Sequence, residues 1–177
     1  DQWWNNYLTF GIAAVEKEEH RLGISKRYYE IPLQVELDGY RLGGVLDLLL
    51  IGSEGRACIF DWKSGSKKIG PKLKEQLAGR VQTKCYSLLV TLARSLPILS
   101  KPIHSVRMVY WYAENPQHPV VLDIDQTELE ANRRHFLQLF HQITETKEYA
   151  KTAYIQRCSY CRYRSYCERG ERAFSLE

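Results

Sequence analysis

The sequence predicts an α/β (α+β) domain in which a mixed central sheet is flanked by helices. Three observations predict it. Strand-like runs before residue 64 are separated by the turn signals Asp38-Gly39 and Gly52-Ser53-Glu54-Gly55. Apolar residues at helical spacing follow: Leu73, Leu77, Val81, Cys85, Leu88 and Leu92. Two more strand-like runs then lead into a second long helix that opens on a capping-box pattern. Helix, three strands, helix, strands, helix is an order that buries a sheet under helices.

Residues 1 to 22 read as a helix with Trp3, Trp4, Tyr7, Leu8, Phe10, Ile12 and Val15 on its apolar side, and Gly23 as its stop. Glu30 to Leu37 alternates as a strand, and Asp38-Gly39 turns it into Tyr40 to Ile51, whose apolar end implies burial on both faces. After Gly55 the chain enters a third strand through Cys58, Asp61 and Lys63, which completes an antiparallel meander. A basic loop over 67 to 72 precedes a helix from about Lys72 to Arg94, in which Gly79 costs roughly 1 kcal/mol against alanine. Pro97 and Pro102 bracket a loop, His104 to Tyr112 is a strand, and Glu114-Asn115-Pro116 turns into Val120 to Ile124. Asp125-Gln126-Thr127-Glu128 then starts a helix that runs to about Lys147.

At 177 residues the chain is most simply one domain with a sizeable core. Its 44% hydrophobic and 26% charged residues are ordinary for a globular protein. No apolar run approaches the ~20 residues that cross a bilayer, and no secretory signal is present, so no membrane partner is expected. The chain opens on Asp1 rather than Met, so further residues are expected upstream. A net charge of +4 permits a polyanionic partner without demanding one. Five cysteines, an odd number without an export signal, fit a reduced cytoplasmic setting in which clustered thiols bind metal. Cys58 and Cys85 sit alone in apolar elements and read as core residues.

Chemistry concentrates around Cys58-Ile59-Phe60-Asp61-Trp62-Lys63-Ser64-Gly65. Strand alternation puts Ile59, Asp61 and Lys63 on one side and Phe60 and Trp62 on the other. Fourteen residues before Asp61, Gly43-Gly44-Val45-Leu46-Asp47 ends the polar part of another strand in a second carboxylate. Gln82 and Tyr86 lie one helical turn apart on a shared face. Taken alone, Asp61 and Lys63 are a surface ion pair worth ~0–1 kcal/mol, and Gln82 and Tyr86 a polar stripe on a core helix.

The ordered trio Gly-Gly-x-x-Asp, Asp-x-Lys-x-Gly and Gln-x-x-x-Tyr resembles the motifs of the PD-(D/E)XK nuclease superfamily, in particular its RecB/Cas4-like branch. The resemblance spans roughly residues 28 to 167. It implies a restriction-endonuclease-like αβββαβ core over residues 1–150, with a cysteine-rich segment over 151–177 packed on the same domain. It also implies a deoxyribonuclease in which Asp47, Asp61 and the Trp62 carbonyl hold Mg²⁺ or Mn²⁺. Hard cations of that kind activate water and offset phosphate charge. Lys63 would orient or deprotonate the water, and Gln82 and Tyr86 would sit over the site. Nucleases of this branch carry a further ligand on the first helix. Here Val15 stands at that spacing from Gly11, leaving Glu16, Glu19, His20 or an upstream residue as candidates.

Cys158-x2-Cys161-x5-Cys167 gathers three thiols in ten residues, a pattern that suits an iron–sulfur cluster or Zn²⁺. The resemblance favours a [4Fe–4S] cluster, with the fourth ligand upstream or replaced. Around it lie Arg157, Tyr160, Arg162, Tyr163, Arg164, Tyr166, Arg169 and Arg172, a mixture suited to phosphate contact and base stacking. Lys67, Lys68, Lys72, Lys74, Arg80 and Lys84 surround the preceding helix and could track a phosphate backbone. The expected activity is metal-dependent cleavage of single-stranded DNA or duplex ends, of exonuclease type. Its setting would be repair, recombination or CRISPR-related processing beside a helicase or other repair protein. The competing readings are an inactive nucleic-acid-binding or scaffold module of the same fold, and a zinc-stabilised interaction domain.

Overall fold

The structure is a computed structural model that describes residues 2–23, 25–65, 67–93 and 102–169, with Ser25 and Tyr160 described by their backbone only. Arg94, Pro97 and Arg172 lie outside the described residues. The chain divides into two compact units, Asp1–Phe140 and His141–Glu177.

In the first unit, five strands form one sheet in the order β1-β2-β3-β4-β5. β1 (Ser25–Leu37), β2 (Tyr40–Gly52) and β3 (Arg56–Lys63) are the expected antiparallel meander. Asp38 and Gly39 both take positive φ, 54° and 78°, which matches the right-handed twist of a two-residue hairpin. β4 (Ser105–Tyr112) pairs parallel to β3, and β5 (Val120–Ile124) pairs antiparallel to β4, so the sheet is mixed. The parallel step needs a crossover, supplied by α3 (Pro71–Ala78) and α4 (Val81–Leu92).

The single helix predicted over 72–94 is two. Gly79 ends α3, and Arg80 adopts extended backbone (φ −67°, ψ 139°) before α4 begins. Helical apolar spacing carries across this break, which is why the pattern alone reads as continuous. The N-terminal helix runs as α1 (Gln2–Asn6), a π-helical turn (Tyr7–Gly11) and α2 (Ile12–Leu22). α5 (Gln126–Glu145) opens on the expected capping box, with Glu128 N–H donating to Asp125 Oδ1 at 2.9 Å and Asp125 N–H to Glu128 Oε2 at 3.2 Å.

Each face of the sheet is covered. Leu49, Ile51, Ile59, Met108 and Tyr110 join residues of α3, α4 and α5 in the larger core. Leu48, Leu50, Cys58, Phe60 and Val109 join Val15 and Leu22 of α2 in the smaller one. This two-sided burial explains the unbroken apolar end of β2. The expected apolar side of the N-terminal helix is only partly used: Val15 is buried, whereas Trp3, Trp4, Leu8 and Ile12 are exposed. Among the described residues no helix is long and apolar enough to cross a membrane.

The second unit carries short 3-10 turns over Ile155–Tyr160 and Ser165–Cys167. Arg169 donates to Thr152 O at 2.6 Å and to Cys158 Sγ at 3.4 Å, and Arg164 donates to Arg169 O. Lys151 donates to Cys167 O at 3.1 Å. Two of the arginines expected to meet phosphate are thus engaged in holding this segment.

Candidate active site

The β2–β3 pairing ends at Leu48 opposite Phe60. One further step of that antiparallel register sets Asp47 opposite Asp61, at the spacing where cross-strand side chains interact. There the side chain of Asp47 takes over from the ladder: Trp62 N–H donates to Asp47 Oδ2 at 2.8 Å. β1 is irregular at the same row. Its register with β2 runs from Tyr29–Leu48 to Ile31–Leu46, and the intervening Glu30 has φ 46°. A glutamate in left-handed backbone inside a strand is strained, and such strain gathers at functional sites.

Asp61 is only 2% exposed. Its Oδ1 accepts a hydrogen bond from Gln82 Nε2 at 3.0 Å, and its Oδ2 lies 2.5 Å from Lys63 Nζ. That second contact pairs the buried Oδ2 with the Lys63 ammonium. Burial pushes the carboxyl above the usual aspartate range and the charge on Asp47 adds to this; Lys63 and Arg80 pull the other way. Lys63 also sits 6.0 Å above the Tyr110 ring, on the strand paired with β3.

α4 brings Gln82 and Tyr86 down on this row. Tyr86 donates to Val45 O at 2.9 Å. The approach depends on Gly44: a Cβ there would stand 3.0 Å from the Tyr86 ring and 3.2 Å from Leu89 Cδ1. The N-terminal turn of α4 is anchored from below, where Thr83 donates to Leu77 O at 2.5 Å and stands 2.6 Å from Tyr110 Oη. Burial raises the Tyr110 hydroxyl to about 12, which keeps its proton in place. Sequence reasoning missed Thr83 and Tyr110. They lie 27 residues apart, and no motif links them.

Asp61, Lys63 and Gln82 therefore meet in one place, with Asp47 bonded to Trp62 of β3 and Tyr86 to Val45 of β2 beside them. The Trp62 ring lies apart in a cluster with Phe60, Tyr7 and Trp111. Glu19 is held by Arg27 Nε and Nη2, each at 2.6 Å, and Glu16 and His20 are exposed on α2. Glu18, which sequence reasoning passed over, is buried with Arg21 and Arg107. Among the described residues no group of three or more His, Cys, Asp or Glu side chains is placed to hold a metal ion. None of Glu16, Glu19 and His20 thus completes a site with the two aspartates.

A nearly buried carboxylate, with a second carboxylate close enough for its charge to be felt, fits a hard divalent cation; Mg²⁺ is often held by only one or two protein carboxylates. The cysteines do not fit their expected cofactor. Cys158 is buried and Cys161 and Cys167 half-buried, and the three do not form a metal-holding group. The expectation of a [4Fe–4S] cluster or Zn²⁺ at these thiols finds no support in the geometry, because close sequence spacing has not become convergence.

Adjoining strands of this mixed sheet thus present two carboxylates and a lysine beside a helix-borne glutamine. The chain belongs to the PD-(D/E)XK nuclease superfamily, which it matches over residues 2–168. Divalent metals serve the nucleases of that superfamily. No curated protein matches the chain. The solved structure described as "Crystal structure of SSO0001" aligns at 15% identity with a TM-score of 0.41, covering 93% of this chain and 68% of that one.

Proposed function

We propose that the chain is a divalent-metal-dependent deoxyribonuclease of exonuclease type. Its substrates would be single-stranded DNA or duplex ends in repair, recombination or CRISPR-related processing, beside a helicase or another repair protein. The observation that carries this reading is the Asp61 carboxylate, almost wholly buried, bracketed by Asp47 and the Lys63 ammonium.

Asp47, Asp61 and the Trp62 carbonyl would hold Mg²⁺ or Mn²⁺. In an extended strand the N–H and C=O of one residue point the same way, so the Trp62 carbonyl shares the Asp47 side. When bound, such an ion supplies an acidified water and neutralises charge on the attacked phosphate. Lys63, 30% exposed at its side chain, donates to the water or to a phosphate oxygen. Gln82 holds Asp61 in orientation through its 3.0 Å bond, and Tyr86 keeps α4 fixed over β2. Burial of Asp61 excludes water from the carboxylate and strengthens each of these interactions.

The test is incubation with 5′- and 3′-labelled single-stranded and linear duplex DNA in Mg²⁺ or Mn²⁺. Cleavage should fall at least about 100-fold in Asp61→Asn and in Lys63→Ala, the scale on which removal of one group that stabilises transition-state charge is felt. Cleavage that survives both substitutions refutes the site. Among the described residues no third ligating side chain joins the two aspartates, which favours a second reading, an inactive nucleic-acid-binding module. It predicts salt-sensitive DNA binding with no cleavage under any metal.

A further inference from the structure

The N-terminal helix leaves two indoles in the open: Trp3 is 46% and Trp4 58% exposed, with Leu8 and Ile12 continuing the stripe. A soluble surface rarely carries adjacent open tryptophans without a use. Trp4 is also held in place by other rings. Trp4 stacks on Tyr7 at 5.6 Å between centroids, and Tyr7 meets Trp62 and Trp111 edge-on at 5.5 and 6.2 Å.

This aromatic tier is fixed to the strand end that carries the candidate site. Asn6 Nδ2 donates to Ala113 O at 2.8 Å, and Ala113 N–H donates to Lys63 O at 2.9 Å. Asn115 Nδ2 donates to Lys67 O at 3.1 Å, bringing the loop after β3 to the same place. Lys67 and Lys68 on that loop are exposed. Trp62 and Lys63 are consecutive residues that point to opposite faces of β3. The indoles and the carboxylates are thus on either side of one strand end, with ammonium groups on the loop leaving it.

We infer that Trp3 and Trp4 form a base-stacking platform for single-stranded DNA, whose phosphates meet Lys67 and Lys68 as the strand passes the ends of β3 and β4. The inference rests on the nuclease reading for its substrate, and on the indoles and lysines for its geometry. Open indoles beside ammonium groups match a polymer of flat bases and anionic phosphates, and stacking of this kind is indifferent to sequence. An apolar protein partner would leave the two lysines unanswered.

The test is oligo(dT) binding by the whole chain in EDTA, read by tryptophan fluorescence quenching and by anisotropy of a labelled strand. Trp3→Ala/Trp4→Ala should weaken binding about 10- to 100-fold, while Trp3→Phe/Trp4→Phe restores most of it. Trp4→Ala also removes a stack on Tyr7, so unchanged circular dichroism and thermal midpoint must accompany the loss. An abasic strand of equal length should bind wild type and the alanine variant alike. Lys67→Ala/Lys68→Ala should flatten the salt dependence by about 1.4 in log–log slope. Wild-type affinity in the double alanine variant overturns the platform. Binding that depends on the indoles, without cleavage in Mg²⁺ or Mn²⁺, overturns the nuclease reading and leaves the platform standing.

Discussion

Removing the Thr83 hydroxyl should cost more than removing its partner, and the structure says why. Thr83 has one hydroxyl proton, and it goes to Leu77 O at 2.5 Å. In the 2.6 Å contact with Tyr110 the tyrosine must therefore donate and the threonine accept. Thr83→Val leaves a tyrosine O–H without an acceptor at a residue with 0% exposure. Such an orphan costs about 1–3 kcal/mol. Leu77 O is less affected, since Arg80 N–H still donates to it at 3.2 Å. Tyr110→Phe removes a donor from an oxygen that remains engaged, at about 0.5–1.5 kcal/mol. The two changes together leave no orphan, so the double variant should be more stable than Thr83→Val alone. Urea denaturation of the four proteins gives the coupling directly. Additive costs, or Thr83→Val no worse than Tyr110→Phe, would refute the donor assignment and with it the anchoring of α4.

Four more outcomes follow from the same structure. Gly44→Ala puts a methyl 3.0 Å from the Tyr86 ring and should cost about 1–3 kcal/mol, with DNA cleavage falling because α4 must retreat. The proton on Asp61 is held more tightly in the folded chain, so its contribution to stability is full below the ordinary aspartate value of about 3.9. It is lost as pH rises through the raised folded value, with a slope of at most about 1.4 kcal/mol per pH unit. Urea midpoints across pH should show that fall in metal-free wild type and not in Asp61→Asn. Mg²⁺ at 100 times its dissociation constant should add about 2.7 kcal/mol at neutral pH. Anaerobically purified protein should show no stoichiometric iron and no absorbance near 400 nm, and an iron-loaded chain would overturn the account given of Cys158, Cys161 and Cys167.

What the sequence determined by itself is what short-range geometry encodes. Two-residue alternation set Asp61 and Lys63 on one side of β3, and one helical turn set Gln82 and Tyr86 on one side of α4. Asp38-Gly39 fixed the hairpin, and the capping box marked the start of α5. Tertiary structure decided the rest. Apolar spacing ran through Gly79 and Arg80, yet the crossover from β3 to β4 breaks there into two helices. Trp3 and Trp4 share the helical periodicity of buried residues, yet both are exposed. Tyr110 and Thr83 meet only because β4 inserts beside β3 under α4. Three thiols in ten residues do not converge merely by being near in sequence. Periodicity constrains a residue against neighbours one turn or one strand step away, whereas contacts across dozens of residues depend on how the elements stack.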